Sequence, residues 1–282
     1  MVKVNILDCT LRDGGYYNSW RFSSSIVNAY INALTESSVT HIELGFRFAK
    51  QDNNLGKFAF TTEEHLNSID FPGNQQLGVM INGDEYLNSE DPCNLITKYF
   101  LPAKRSKISF VRIAIDLVNA PKAKILIDCL DDLGYEVMLN LMQANQQKSD
   151  VVEATIAIIS KWKNLKVLYF ADSLGSMNAV AIKKFIKKLK LSWKGKIGFH
   201  AHNNMSLALS NATTAIKLGC QFCDSTLMGM GRGAGNAQTE YLLPQVQGKY
   251  NPTSMLFVLA KFQALKNKFQ WGPNMFYYFA AE

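Results

Sequence analysis

The sequence predicts a single α/β domain folded as a closed (β/α)₈ barrel, the TIM barrel. Eight short apolar runs follow one another along the chain, and helix-like segments separate most of them. No Pro/Gly/Ser-rich linker, low-complexity tract or repeat interrupts the 282 residues. Strands that alternate with helices pair in parallel, and about eight such units in this length favour a closed barrel over an open sheet.

The apolar runs place the predicted strands at residues 2–9, 41–46, 77–81, 110–115, 136–142, 167–171, 197–202 and 222–227. Helical periodicity places the predicted helices at residues 24–34, 120–133, 151–162, 180–189 and 207–218. The segment 51–63 has weak periodicity and is predicted to be more loop-like. The predicted domain spans residues 1–282. The aromatic ending FQWGPNMFYYFAAE leaves two alternatives open, a natural tail docked on the barrel and the N-terminal part of a longer protein.

The net charge of +7 does not predict a nucleic-acid-binding protein. Residues 181–196, AIKKFIKKLKLSWKGK, hold seven lysines and no acidic residue, so the rest of the chain is balanced. Apolar residues recur there at helical spacing, which predicts a solvated lysine face, with an anionic partner as the alternative. No apolar run approaches the roughly 18 residues of a membrane span. The N-terminus lacks a signal-peptide core, which predicts a cytoplasmic protein.

The cysteine pattern predicts no disulfide framework. The five cysteines are odd in number and scattered, as expected for a reducing compartment. Cys220 and Cys223 form a C-x-x-C where a helix-like stretch passes into a strand. No second pair offers a zinc site, so these two thiols are predicted to be packed core residues.

Charged and polar residues collect where three predicted strands end, which is where barrel enzymes place their chemistry. Arg12 and Asp13 follow the first strand, Asp172 and Ser173 follow the sixth, and the seventh strand ends in His200-Ala-His202. Histidines two apart on a strand point to one face, and two neutral imidazoles are typical metal ligands. Asp13 would complete a set of two histidines and one carboxylate with open positions. The alternative is a pair of histidines bonded to backbone or to neighbours.

A glycine-rich segment, MGMGRGAGNAQTE at residues 228–240, follows the eighth strand. Its glycines let the backbone approach a ligand closely. Asn236 adds an amide oxygen that can coordinate a metal or support the residues that do. The segment formally matches a dinucleotide-binding pattern, but no βα unit remains to carry the ribose-binding acid, so that interpretation is disfavoured.

These motifs together resemble the metal-dependent DRE-TIM metallolyases, a group with 4-hydroxy-2-oxovalerate aldolase, HMG-CoA lyase and the isopropylmalate and homocitrate synthases. DCTLRDGG, DSLG, HAHNN and GRGAGNAQTE occur in the order of that group and span residues 8–240. The likeness is closest to the hydroxy-oxovalerate aldolase branch.

The resemblance implies a role for each matching residue. The implied ligands of a divalent metal, Mn²⁺ or Mg²⁺, are Asp13, His200, His202 and Asn236. Arg12 would stabilise the enolate oxygen of a 2-oxo acid, and Ser173 matches a position that binds the substrate carboxylate. Independently of the resemblance, Asn140 inside the fifth strand either points into the pocket as a further substrate-binding residue or pairs with Arg112.

The chain departs from the hydroxy-oxovalerate aldolases at Tyr16, where that branch has an acid/base histidine shortly after the Arg-Asp pair. A phenol with an ordinary pKa near 10 donates a proton but is a poor base at neutral pH. Three alternatives stay open: Tyr16 or Tyr17 acts near the metal, a metal-bound hydroxide acts instead, or the reaction differs.

The sequence therefore predicts a metal-dependent carbon–carbon lyase that cleaves or forms a bond of a 4-hydroxy-2-oxo acid through a metal-stabilised pyruvate enolate. A claisen-type acyl-CoA condensing enzyme and a non-catalytic barrel used for binding are the alternatives. The expected partner is a small 2-oxo acid, without nucleic acid or membrane. A homo-oligomer and an additional C-terminal domain are left open. His41 is expected to be structural, His65 is expected to lie on a surface helix, and Glu43 is a candidate neighbour of the site.

Overall fold

The computed structural model describes residues 4–281 and forms a closed barrel of eight parallel strands in sequential order. The strands β1–β8 are Asn5–Asp8, His41–Phe46, Gln76–Asn82, Phe110–Asp116, Glu136–Met142, Leu165–Asp172, Lys196–Ala201 and Phe222–Ser225. The first strand pairs with the last, with Asn5 opposite Phe222 and Asp8 opposite Ser225. The predicted (β/α)₈ barrel is therefore confirmed.

Helices surround the barrel and also follow its last strand. In chain order, α1–α13 are Thr10–Asp13, Gly15–Asn18, Ser24–Thr35, Glu63–Asn67, Gly83–Leu87, Pro92–Tyr99, Lys124–Asp132, Ser149–Ile159, Ala179–Ser192, Ala208–Lys217, Thr239–Gln245, Pro252–Phe269 and Met275–Ala281. Short 3₁₀ turns lie at Lys57–Ala59, Ala103–Arg105, Ala120–Ala123, Ala144–Gln146 and Leu227–Gly229. None of the helices in residues 4–281 combines the length and apolarity needed to cross a bilayer.

The predicted elements agree with the structure where periodicity is strong. β2 and β5 match their predicted bounds, and the five predicted helices correspond to α3, α7, α8, α9 and α10. Residues 2 and 3 of the first predicted strand lie outside the described residues. The eighth strand ends at Ser225, two residues early, because the chain enters a 3₁₀ turn at Leu227. The helices that were not predicted around β3, α4–α6, have five to eight residues, too few for a clear apolar stripe.

The barrel interior has an apolar floor below a charged layer. Leu7, Phe110, Met138, Val167, Tyr169 and Phe222 belong to one buried cluster with Cys9. His41 lies at the N-terminal end, with its ring centroid 5.5 Å from Phe110 and 5.0 Å from Phe222. Burial lowers the pKa of His41 to about 4, so its ring is neutral and packs as part of the floor. The expected structural role of His41 is consistent with this position.

The lysine-rich segment forms α9, as the spacing predicted. Its buried residues are Ile182, Phe185, Ile186 and Leu189. Asn178 caps the helix by accepting a hydrogen bond from the amide of Ala181. The side chain of Lys188 contacts Ser149 and Glu153 on the neighbouring α8, so part of the lysine face serves packing between helices.

The cysteine prediction is wrong for one pair. Cys93 on α6 and Cys129 on α7 form a disulfide, with their Cα atoms 5.7 Å apart. These neighbouring outer helices bring together two residues 36 positions apart, which their spacing in the sequence did not indicate. Cys9, Cys220 and Cys223 are buried free thiols, and the packed role predicted for the C-x-x-C is consistent with that.

Candidate active site

Arg12 and Asp13 lie on α1, a single helical turn directly after β1. The turn is held against the barrel because the indole of Trp20 donates a hydrogen bond to the carbonyl of Arg12 at 2.8 Å. A Cβ atom on Gly15 would lie 2.0 Å from the Trp20 ring, so only glycine allows this contact. The sequence RDGGYYNSW therefore builds a tight turn that points Arg12 and Asp13 into the barrel.

Asp8, at the end of β1, anchors this turn from below. Its carboxylate accepts hydrogen bonds from the amide and hydroxyl of Thr10, the hydroxyl of Tyr30 and the hydroxyl of Thr239. Burial nevertheless raises the pKa of Asp8 above its ordinary value. The four donors connect β1, α1, α3 and α11 at one buried point.

The structure brings the predicted metal ligands together at the C-terminal end of the barrel. Ligand atoms of Asp13, His200 and His202 all lie within 4.8 Å of one another, and all three residues are buried. The imidazole centroids are 4.9 Å apart, and His200 Nε2 is 4.0 Å from Asp13 Oδ2. Asn236 donates to Asp13 Oδ2 at 2.5 Å, while its own Oδ1 is buried without a hydrogen-bond partner.

The protonation states of these residues suit metal binding. Burial opposes ionisation of Asp13, but the Arg12 guanidinium beside it holds the pKa of Asp13 well below its usual range. Burial lowers the pKa of His202 to about 3, and the nearby His200 lowers it further. A carboxylate and a neutral imidazole at pH 7 are the forms that coordinate metals.

Asp224 on β8, which the sequence did not predict as a site residue, fixes the orientation of His200. Its Oδ2 is 2.8 Å from His200 Nδ1, which directs Nε2 toward Asp13. Arg112 donates to the same carboxylate at 2.5 Å. Burial opposes ionisation of Asp224, but Arg112 lowers its pKa. A carboxylate behind a ligating histidine sets the tautomer and ring orientation.

Cys9 also lies near His200 and Asp224, within 4.8 Å for one ligand atom of each. In this second group the histidine and aspartate already bond each other. Burial raises the pKa of the Cys9 thiol well above its ordinary value, so the thiol is neutral. Cys9 therefore fills space beneath the site.

A chain of buried charges joins the two arginines. Glu43 accepts from Arg12 Nε at 2.7 Å and from Arg112 at 2.8 and 2.6 Å. Arg12 Nη1 donates to Asp13 at 2.6 Å, while Arg12 Nη2 is buried without a partner. Arg112 is fully buried and stacks over the ring of Tyr169 at 4.7 Å. Glu43 thus adjoins the site.

The expected alternative pairing of Arg112 with Asn140 is not formed, because Arg112 bonds Glu43 and Asp224. Asn140 is buried, and its Oδ1 has no partner. Asn140 lies on the same strand face as Met138 of the interior cluster, so its amide faces the barrel interior. It remains available to a ligand.

Ser173 lies just after β6, at the rim of the barrel. Its Oγ accepts a hydrogen bond from the amide of Gln143 at 2.9 Å, which leaves its hydroxyl proton free to donate. The preceding Asp172 accepts from the amides of Ser176 and Met177 and shapes this loop. Burial raises the pKa of Asp172 to about 6.

The glycine-rich segment after β8 lines the site. A Cβ atom on Gly231 would lie 2.5 Å from Asp13 Oδ2 and 2.2 Å from Asn236 Nδ2. No larger residue fits between these two groups, so Gly231 allows the close approach. The segment belongs to a closed barrel, and the disfavoured dinucleotide-binding interpretation has no structural counterpart.

The two tyrosines after Arg12 and Asp13 differ in their surroundings. Tyr16 is 48% exposed and packs edge-on against Trp20 and Phe46. Burial of its inner part, together with the charge of Asp13, raises the pKa of Tyr16. Tyr17 donates its hydroxyl proton to the carbonyl of Gly233 at 2.5 Å, and burial raises its pKa as well. Tyr16 is therefore the tyrosine with a free phenol at the entrance.

Burial of Glu240 on α11 makes the free energy of unfolding of the protein depend on pH. It accepts from the amide of Met228 at 3.1 Å, and burial raises its pKa to about 7. Because the folded protein holds this proton more tightly than the unfolded chain, the free energy of unfolding falls as pH rises through this range. Relative to wild type, Glu240→Gln is expected to gain roughly 1–3 kcal/mol of stability between pH 5 and pH 8.

Urea unfolding followed by circular dichroism at the two pH values measures this gain. Glu64→Gln, on the exposed face of α4, is the control and is expected to show no such change. A wild-type-to-variant difference that is equal at both pH values would contradict the assignment.

Comparisons with known proteins identify relatives of this chain. The HMGL-like family model matches residues 110–261, just over half of the chain. A 4-hydroxy-2-oxovalerate aldolase 2 from Nocardia farcinica is 30% identical over 242 residues, covering 85% of this chain and 67% of that protein. An oxaloacetate decarboxylase from Mycobacterium tuberculosis is 27% identical over 244 residues, covering 86% of this chain and 69% of that protein.

Solved structures share the architecture. The N-terminal domain of a candidate aldolase from Bacteroides vulgatus superposes with a TM-score of 0.87 at 30% identity, covering 99% of this chain and 92% of that one. HMG-CoA lyase from Brucella melitensis has a TM-score of 0.73 at 14% identity, covering 95% and 100% of the two chains, which shows the shared fold. The family match, these relatives and the barrel together confirm the resemblance: the chain belongs to the HMGL-like family of DRE-TIM metallolyases and is a carbon–carbon lyase.

Proposed function

We propose that this protein is a divalent-metal-dependent aldolase that cleaves, or in reverse forms, a carbon–carbon bond of a 4-hydroxy-2-oxo acid through the enolate of pyruvate. The observation that carries the proposal is the convergence of Asp13, His200 and His202 at the C-terminal end of the barrel, next to Arg12 with its unpartnered Nη2. Relatives named 4-hydroxy-2-oxovalerate aldolase support this substrate class.

The residues present fit a divalent metal. Asp13, His200 and His202 would hold it, and the buried, unpartnered Oδ1 of Asn236 is a fourth donor. Two imidazoles and a carboxylate hold a divalent metal and leave positions open, and Mn²⁺ or Mg²⁺ is the metal that the family resemblance implies. When bound, the metal supplies positive charge beside the oxygen of the 2-oxo group.

Arg12 supplies a second, permanent positive charge. Glu43 and Asp13 hold Nε and Nη1 at 2.7 and 2.6 Å, so the guanidinium plane is fixed. The remaining buried Nη2 donates to the oxygen that becomes the enolate oxygen when the bond between C3 and C4 breaks. A preorganised donor aimed at developing charge is a large contribution to catalysis.

The substrate carboxylate is assigned to the rim on the other side of the pocket. The hydroxyl of Ser173 has its proton free, and Asn140 is buried on the interior face of β5. Ser173 donates to a carboxylate oxygen, and Asn140 donates through its Nδ2.

Tyr16 is assigned the proton transfer. Its raised pKa keeps the phenol protonated at neutral pH, so Tyr16 donates a proton to C3 of the enolate after cleavage. The resulting phenolate takes up the proton that the C4 hydroxyl of the next substrate loses, and in the reverse direction the phenolate takes a proton from C3 of pyruvate. The hydroxyl of Tyr17 already bonds Gly233, so Tyr17 holds the glycine-rich segment in place, and a catalytic role for Tyr17 stays a prediction.

Hydrogen exchange at C3 of pyruvate is the sharpest test, because it requires enolate formation but no aldehyde. In D₂O with Mg²⁺, the wild-type protein is expected to exchange these protons, as followed by proton NMR, and chelation is expected to stop the exchange. Arg12→Gln is expected to slow the exchange by about 10²–10³-fold, the range for loss of one preorganised donor. Arg21→Gln, an exposed arginine nearby, is the control.

A panel of 4-hydroxy-2-oxo acids, with pyruvate release coupled to lactate dehydrogenase, then identifies the substrate. Oxaloacetate belongs in the panel because one relative bears the name of its decarboxylase. If the metal-loaded wild type shows neither proton exchange nor pyruvate release, the proposal is contradicted. That result would favour the condensing or non-catalytic alternatives. The cytoplasmic location and the oligomeric state stay predictions.

A further inference from the structure

Arg232 is a charged residue at the mouth of the site that the proposed cleavage does not use. It follows Gly231, which contacts Asp13 and Asn236, so its backbone is one residue from the pocket. Its guanidinium is exposed, and Nη2 donates to the carbonyl of Ser173 at 3.2 Å. Arg232 therefore spans the rim between the ends of β8 and β6.

The backbone around Arg232 is held in place by hydrogen bonds. Its carbonyl accepts from the amide of Gly235 at 3.1 Å. The carbonyl of Gly233 accepts from Tyr17, and that of Gly235 accepts from the amide of Asn203 at 2.8 Å. The guanidinium is thus presented from a fixed loop.

The charge of Arg232 acts at the entrance to the site. Burial and Asp13 raise the pKa of Tyr16, and Arg232 opposes that rise. A substrate group between Tyr16 and Ser173 lies in the field of Arg232.

The buried carboxylates of Asp13, Glu43 and Asp224 pair with Arg12 and Arg112 and not with Arg232. In residues 4–281, no salt bridge joins Arg232 to a carboxylate.

We infer that Arg232 selects 2-oxo acids that carry a second carboxylate, on the part of the molecule that leaves as the aldehyde. This inference rests on the proposed function. The first carboxylate and the 2-oxo group lie in the pocket, and the second carboxylate lies at the rim, where the planar fork of Arg232 binds it. Arginine and carboxylate match each other in geometry as well as charge.

A matched pair of substrates tests this inference: 4-hydroxy-2-oxopentanoate and 4-hydroxy-2-oxopentanedioate differ only in a methyl or a carboxylate on C4. In both, the C4 hydroxyl loses its proton, the bond between C3 and C4 breaks, and C3 of the enolate takes up a proton to give pyruvate. Wild type is expected to favour the diacid in kcat/KM by about tenfold or more, the effect of one charge-assisted pair. Arg232→Gln is expected to bring the ratio close to one. Arg232→Lys keeps the charge without the fork and is expected to retain part of the preference.

Binding of non-cleavable ligands gives a readout that does not depend on turnover. Titration calorimetry with Mg²⁺ compares 2-oxopentanedioate with 2-oxopentanoate on wild type and Arg232→Gln, and only wild type is expected to prefer the diacid. If Arg232→Gln lowers kcat/KM and affinity equally for both members of each pair, Arg232 only supports the Ser173 loop, and the inference is overturned. The inference is also overturned if wild type does not prefer the diacid.

The proposed function and the inference fail differently. If wild type does not exchange pyruvate protons, the proposed function fails, and the calorimetric pair still decides whether Arg232 selects a second carboxylate. If exchange occurs, and Arg232→Gln leaves the diacid-to-monoacid ratios of kcat/KM and of affinity unchanged, only the inference fails.

Discussion

The double variant His200→Ala and His202→Ala is expected to lose Mn²⁺ binding and lyase activity together. Wild type is expected to bind about one Mn²⁺ ion per chain through these two imidazoles and Asp13. Loss of a residue that merely supports a ligand costs roughly 10–100-fold in metal affinity, so loss of two ligands exceeds that range.

Electron paramagnetic resonance of free Mn²⁺ measures this binding directly. His65→Ala is the matched control, since His65 lies on α4 and packs against Phe58 with its ring centroid 4.6 Å away. Circular dichroism checks that each variant is folded. Equal Mn²⁺ binding by wild type and the double variant would refute the site.

Arg112→Met is expected to lower the free energy of unfolding by about 3–5 kcal/mol, the cost of leaving buried charges unpaired. Arg112 is fully buried and neutralises both Glu43 and Asp224. Methionine fills some of the volume, but it leaves the Asp224 carboxylate with His200 alone. Urea denaturation of the metal-free protein measures the change.

Adding Asp224→Asn to Arg112→Met is expected to restore part of this loss, because the second change removes an orphaned charge. Arg105→Met, an exposed arginine just before β4, is the control and should stay within about 0.5 kcal/mol of wild type. If Arg112→Met is as stable as Arg105→Met, the ion pairs of Arg112 with Glu43 and Asp224 do not contribute this free energy of unfolding.

Part of the site was predictable because barrel strands end at one rim. His200 and His202 share a strand face, and Asp13 follows a strand only two places away around the barrel. Asp224 was not predictable in this way, since a lone aspartate in a short strand carries no pattern. Its contact with His200 depends on the register between β7 and β8, which periodicity does not determine.

The surface was harder to predict than the interior. Strands buried on both faces leave strong apolar runs, whereas α5 and α6 are short, and of these two helices only α6 has a capping side chain, that of Asp91. The contact between Cys93 and Cys129 depends on how α6 and α7 pack side by side. That packing is a tertiary property that residue spacing does not encode.

The pairing of β1 with β8 makes the site a reporter of whether the barrel is closed. Asp13 follows the first strand, Asn236 follows the last, and the hydrogen bond between them crosses the seam at which the sheet joins its own beginning. If that seam opens, the carboxylate separates from the two imidazoles while the other strand pairs keep their hydrogen bonds. Catalytic activity is therefore expected to disappear at lower denaturant concentrations than the helical signal of the surrounding shell.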